Sequence, residues 1–102
     1  MAKTVVCTRY KGRTYCVSVI VLHRINKVIV NILEYRPWCP NMYKHVVKCI
    51  GHLTQICKDV ESSIYMLKCR GQVNLLLESK ELRKLVIEKI RKTLSIGNYC
   101  SE

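Results

Sequence analysis

NMYKHVVKCIGHLTQICKDVESSIYMLK, residues 41–68, is the stretch on which the fold turns. Its Met42, Val46, Cys49, Ile50, Leu53, Ile56, Cys57, Val60, Ile64 and Leu67 fall on one stripe at about 100° per residue. Asn41 suits the position that caps a helix start. The spacing predicts a long amphipathic helix over 41–68, whose far side carries Lys44, Lys48, Gly51, Gln55, Lys58 and Ser62. Lys68 to Gln72 reads as its end, with Gly71 fitted to the residue just past a helix terminus. A second helix is predicted from Asn74 to Ser95, burying Leu75, Leu76, Leu82, Val86, Ile90 and Leu94 and stopping at Gly97.

Upstream of this stretch the pattern is that of strands. Thr4 to Tyr10, Thr14 to Leu22 and Lys27 to Tyr35 are rich in Val, Ile, Thr and Tyr, and are separated by the short connectors 11–13 and 23–26. In the second of them, Tyr15, Val17, Val19 and Val21 alternate with Cys16, Ser18, Ile20 and Leu22. The ladder cannot continue through Pro37 and Pro40, and Trp38 between them is expected to plug the sheet against the first helix. The fold class that follows is α+β: a three-stranded antiparallel meander followed by two amphipathic helices (βββαα), in one domain over residues 1–102.

Charge then narrows the function. Eighteen Lys and Arg against seven Asp and Glu leave a formal +11, while 49% of the residues are hydrophobic. A disordered basic tail lacks that much apolar surface, so a folded domain with an anionic partner is expected. Residues 1–40 carry seven basic and one acidic residue, 41–70 five and two, and 71–102 six and four. No run resembles a secretory signal or a membrane span, and seven cysteines without a CxxC pair imply buried thiols in an intracellular protein. The host cytoplasm or nucleus is the expected location.

Chemistry-bearing constellations are few. Three His, one Asp and no glycine-rich phosphate loop give no basis for catalysis, so the chain is read as no enzyme and as having no cofactor. His45, Cys49 and His52, spaced i, i+4, i+7, could contribute to a zinc site with a fourth ligand from elsewhere. The apolar stripe already accounts for Cys49 as a small hydrophobe, and no metal site is expected. The polar stripe of the 41–68 helix is the first candidate nucleic-acid surface. A helix of that length is roughly 42 Å long at 1.5 Å per residue, and Lys44, Lys48, Gln55, Lys58 and Ser62 are donors suited to phosphate and ribose, with Arg70 and Lys84 at the margins. The second candidate is the first hairpin, where Lys3, Arg9, Lys11, Arg13 and Arg24 cluster beside Tyr10 and Tyr15, which could stack on unpaired bases.

Residues 60–80, VESSIYMLKCRGQVNLLLESK, resemble part of the small RNA-silencing suppressors of nodaviruses, all-helical dimers that bind double-stranded RNA along one face. The shared features are a basic-faced helix, a short break and a Val/Leu turn ending in Lys. The resemblance covers about a fifth of the chain, and the meander over residues 4–35 has no counterpart in that family. Chain size and composition also look like those of a viral accessory protein.

The expected function is non-catalytic, sequence-independent RNA binding, with double-stranded RNA as the partner and protection from a host silencing or sensing pathway as its use. The alternative is an interaction protein that docks on a host protein or an anionic membrane through apolar faces. Ile20, Leu22, Ile29 and Leu33 would then form an uncovered sheet face or the seam of a homodimer. A homodimer is expected because so short a chain has more apolar surface than one small core hides.

Overall fold

A computed structural model describes residues 5–100. Five antiparallel strands lie in sequence order, β1 (Val6–Tyr10), β2 (Arg13–Leu22), β3 (Lys27–Tyr35), β4 (Tyr43–His52) and β5 (Lys68–Gly71). Between β4 and β5 run α1 (Leu53–Lys58), α2 (Val60–Ser63) and a 3-10 turn (Ile64–Met66), and after β5 come α3 (Asn74–Glu78) and α4 (Lys80–Gly97). The predicted second and third strands are present, and the first lies in place from Val6; Thr4, the expected start, lies outside the described residues.

The long helix over 41–68 does not form, and this corrects the βββαα reading to five strands with four α-helices among the described residues. Its reason is a bulge. Ile32 pairs with Val47 and Leu33 with His45, so Val46 is the extra residue in β4. Val47, Cys49 and Gly51 face one side and Lys48, Ile50 and His52 the other, a period of two. Inserting Val46 shifts the phase of that alternation, and 42, 46, 49 and 50 then imitate the i, i+4, i+7 spacing of a helix. The β-branched Val46, Val47 and Ile50 favour the strand.

Between β4 and β5, helix propagates only in short pieces. Asp59 is extended (φ −160°, ψ 100°), ending α1 and capping α2, where its carboxylate accepts from the Ser62 N–H at 3.2 Å and the Ser62 hydroxyl at 2.8 Å. Those bonds, the hydroxyl's first, hold the Asp59 carboxyl below its ordinary range. The predicted 74–95 helix is likewise divided at Ser79, whose buried hydroxyl accepts from the Leu82 N–H at 3.1 Å. Serine competes with the helix for backbone groups and so favours such a cap. Asn98, left-handed at φ 53°, closes α4 with its N–H on Leu94 and Ser95 carbonyls.

The helices lie on one face of the sheet, α4 against β1 and β2 and α1 against β4. Val17, Val28, Val30, Ile32, Val47 and Cys49 from the sheet meet Ile56, Leu82, Val86 and Ile90, all at 1% exposure or less. Each such aliphatic side chain contributes about 1.5–3 kcal/mol on burial, which is what fixes the helical layer. The opposite face has no layer over it among the described residues. The shortest dimension of the molecule, 19 Å, is that of one sheet and one layer of helices.

Cysteine use corrects the expectation of free thiols. Cys7–Cys16, Cys49–Cys69 and Cys57–Cys100 are disulfides, and Cys39 is the one free cysteine among the described residues. Cys7 and Cys16 are partners in the β1–β2 register, as Cys49 and Cys69 are in β4–β5, so the strand pairing brings each pair together. Spacing in the sequence could not show this, because the partners are matched by register.

Candidate nucleic-acid interface

Alternation assigns the uncovered face residue by residue. Along β2 it presents Thr14, Cys16, Ser18, Ile20 and Leu22; along β3, Lys27, Ile29, Asn31, Leu33 and Tyr35; along β4, Tyr43, His45, Lys48, Ile50 and His52. At the edges β1 adds Cys7 and Arg9, and β5 adds Lys68 and Arg70. Ile20, Leu22, Ile29 and Leu33 therefore do share the uncovered face, joined by Ile50; Ile20 and Ile50 are each 40% exposed. Three central strands of 9–10 residues, flanked by the shorter β1 and β5, make a platform on the order of 20 Å wide and 30 Å long at its centre.

The charge of this platform has one sign. Arg9, Lys27, Lys48, Lys68 and Arg70 lie on it with His45 and His52, and no acidic side chain among the described residues does. Glu34 points to the helical side, paired with Tyr15 in the register and bound by Arg13 at 3.2 Å, while Asp59, Glu61, Glu78, Glu81 and Glu88 belong to the helical layer. Two aromatic rings complete it at one end, Tyr35 and Tyr43, with centroids 5.2 Å apart. At the other end the Lys27 ammonium lies 3.4 Å from His52 Nδ1.

Beside the tyrosine end, the β1–β2 turn and the loop after β3 enclose a cleft of about 560 Å³ lined by Arg9, Arg13, Glu34, Tyr35, Arg36 and Trp38. Trp38 is 76% exposed, so it is no plug between sheet and helix. The Arg36 Nε is buried there without a hydrogen-bond partner.

The expected site residues are dispersed. Lys48 and Arg70 come side by side on the platform, opposite each other in the β4–β5 register. Lys44 lies at the start of β4 in register with Glu34, on the helical side and exposed. Gln55 and Lys58 are exposed on α1, where the Gln55 amide donates to Met66 Sδ at 3.4 Å, and Ser62 is occupied by Asp59. Lys84 is exposed on α4, in the layer behind the sheet. Lys11 and Arg13 meet acids, Glu78 at 4.0 Å and Glu34 at 3.2 Å. With the 41–68 helix absent, the proposed stripe of donors has no common surface.

One other expectation is corrected, and one cluster weighed from spacing does not assemble. Tyr10 and Tyr15 pack into the core rather than offering stacking faces, Tyr15 at 4% exposure. His45, Cys49 and His52 do not converge, because Cys49 faces the core and is bonded to Cys69; no group of three potential ligands that could hold a metal ion occurs among the described residues. Lys3 lies outside the described residues. Lys27, Tyr35, Tyr43, Lys68, Arg36 and Trp38 were not singled out as binding residues from sequence. A period-two reading of 47–52 places Lys48, Ile50 and His52 on one side, and Tyr43 and His45 join them only through the bulge at Val46.

Residues 60–80, which carry the resemblance to the nodaviral suppressors, fold as α2, the 3-10 turn, β5 and α3. Comparisons with protein-family models, curated proteins and solved structures find no match to this chain. No helix among the described residues is long and apolar enough to cross a membrane.

Proposed function

We propose that this protein is a non-catalytic RNA-binding protein that holds the strand on the uncovered face of its sheet. The observation that carries this reading is the platform on which five Lys and Arg and two His stand, with no acid among the described residues of that face, beside the Tyr35–Tyr43 pair. Cations supply sequence-independent attraction to phosphates, and exposed rings supply stacking for bases. Isoleucines between them give the sugars and base edges an apolar floor.

The 41–68 helix and the resemblance of residues 60–80 are the grounds for expecting a duplex, and that helix does not form. A sheet with rings at its end instead favours unpaired strands, whose bases are free to stack. Covering a strand in this way is the physical basis on which such a protein would shield RNA from a silencing or sensing pathway. The three disulfides suit an oxidising compartment, or the interior of a hyperthermophile, where intracellular disulfides are common.

Fluorescence anisotropy with a labelled single-stranded RNA of about ten nucleotides, against a duplex of the same length, tests the proposal. Binding near or below ~1 μM at moderate salt, tighter for the single strand and weakened at least about tenfold in a Lys48→Glu, Arg70→Glu variant, is the expected result. Indifference to that variant rejects the sheet face as the site.

The exposed Ile20, Leu22 and Ile50 favour a second reading, docking of a protein partner on the same face. A second copy set face to face would oppose like charges, so an acidic partner fits better than a homodimer. Ile20→Ser separates the readings, because a protein interface loses an anchor while phosphate contacts persist.

A further inference from the structure

We propose that the cleft between the β1–β2 turn and the loop after β3 binds a 5′-phosphorylated nucleotide, its phosphate on Arg9, Arg13 and Arg36 and its base on Trp38. Three guanidiniums against one carboxylate line the same space. Glu34 is engaged by Arg13 Nη1 at 3.2 and 3.5 Å, which neutralises the carboxylate and fixes the direction of that guanidinium. Arginine's planar fork suits a phosphate better than any other side chain.

Arg36 supplies the second observation. Its backbone is fixed by bonds to Met42 and Cys39, and its Nε is buried with no acceptor. Its side chain lines the cleft beside Arg9 and Arg13, which brings a third guanidinium to the same space. Arg9 spends only one N–H, on the Gly12 carbonyl at 3.5 Å.

Trp38 decides what kind of anion. An indole 76% exposed in the lining of a guanidinium-rich cleft is a stacking surface. A phosphate joined to a flat aromatic base satisfies both features at once, whereas a sulfate or an acidic peptide uses only the charge. The volume, about 560 Å³, is in the range that holds small ligands. Because Tyr35 both lines the cleft and lies on the platform, a strand crossing the sheet would end there. The ligand is then either a free nucleotide or the 5′ end of an RNA; the second source rests on the RNA-binding reading above.

Trp38 is the only tryptophan in the chain, so its fluorescence reports this site alone. Adenosine 5′-monophosphate and adenosine would be titrated, then six-nucleotide RNAs carrying a 5′-phosphate or a 5′-hydroxyl. The expected result is quenching of Trp38, with each phosphorylated ligand bound at least about tenfold more tightly than its unphosphorylated counterpart, as one charged hydrogen bond would give. Quenching by the phosphorylated RNA but not by the mononucleotide identifies the source as a chain end. Absence of quenching, or equal affinity with and without the phosphate, overturns the proposal. RNA anisotropy that persists in that case, indifferent to 5′ chemistry, leaves the sheet-face reading standing. Arg9→Gln and Arg36→Gln should each abolish the phosphate preference, and Lys84→Gln, behind the sheet, should not. Arg9 is exposed, so its variant remains informative if the Arg36 variant does not fold.

Discussion

Lys48 and Arg70 stand directly opposite each other across β4 and β5, two exposed cations on a face that carries no acid among the described residues. Like charges in that position destabilise a strand pair, and opposite charges support it by about 0.2–1 kcal/mol. Lys48→Glu should therefore raise the unfolding midpoint slightly while weakening RNA binding. Thermal melts and anisotropy on the same preparation check the pair of signs. A variant both less stable and weaker in binding would mean that Lys48 is structural.

The disulfides should rank by the chain they enclose. Cys57–Cys100 spans 43 residues, Cys49–Cys69 spans 20 and Cys7–Cys16 spans 9. Loop-closure entropy puts their contributions at about 4, 3.3 and 2.6 kcal/mol. Paired Cys→Ala replacements, measured by denaturant unfolding, should lower stability in that order. Cys57–Cys100 has a further reason to matter, since it ties the end of the chain beyond α4 to α1.

Gly71 marks the point where β5 meets the bulge of β4. Its φ is +97°, and a Cβ there would collide with the Val46 carbonyl oxygen, which accepts the Gln72 N–H at 2.8 Å. Gly71→Ala should cost on the order of 2 kcal/mol or more through strain and the displaced bond. Loss of β5 would show as faster amide exchange at the residues that pair with it, Val47 to Ile50.

These elements show where the sequence was readable and where it was not. β2 and β3 were legible because both are rich in Val, Ile, Thr and Tyr and are bounded by short connectors, with Tyr15, Val17, Val19 and Val21 at alternate positions in β2. β4 was not, since one inserted valine converts a period of two into an apparent 3.6, and only the β3 partner strand reveals the insertion. The positive face was half legible. Ile20, Leu22, Ile29 and Leu33 could be assigned to one side of two strands, but Lys48 and Arg70 become neighbours only once β5 is paired to β4. Ion pairs such as Arg13–Glu34, which sets the direction of a predicted binding residue, depend on contacts across 21 residues that no local pattern encodes.

Tyr15 gives the fold a measurable alkaline limit. Burial, reinforced by the Glu34 carboxylate opposite it, raises its phenol above the ordinary value of 10.0. Below about pH 10 the group is neutral in folded and unfolded chains alike. As the pH rises past that value the unfolded chain ionises first, so the stability tied to the neutral phenol falls until the pH passes the raised native value. Tyr15→Phe cannot ionise. Denaturant unfolding of both proteins from pH 8 to 11 should show the variant gaining on the parent only above about pH 10.

Salt separates the phosphate-binding face from an apolar docking face. Five Lys and Arg occupy the platform, and each phosphate neutralised on a single strand contributes about −0.7 to the slope of log affinity against log salt. Full engagement therefore gives a slope near −3.5, and the Lys48→Glu, Arg70→Glu variant, with at least two contacts removed, should give −2 or shallower. A partner held by Ile20, Leu22 and Ile50 would bind with little salt dependence, because burial of apolar area does not release counterions. Ile20→Ser should correspondingly leave the RNA slope unchanged even where it reduces affinity. Measured between 50 and 300 mM salt, a slope shallower than about −1 for the parent protein would exclude the platform as a polyanion site and leave the apolar reading. A slope near −3.5 that survives charge reversal at Lys48 and Arg70 would instead move the site to another surface, with the cations of the helical layer as the remaining candidates.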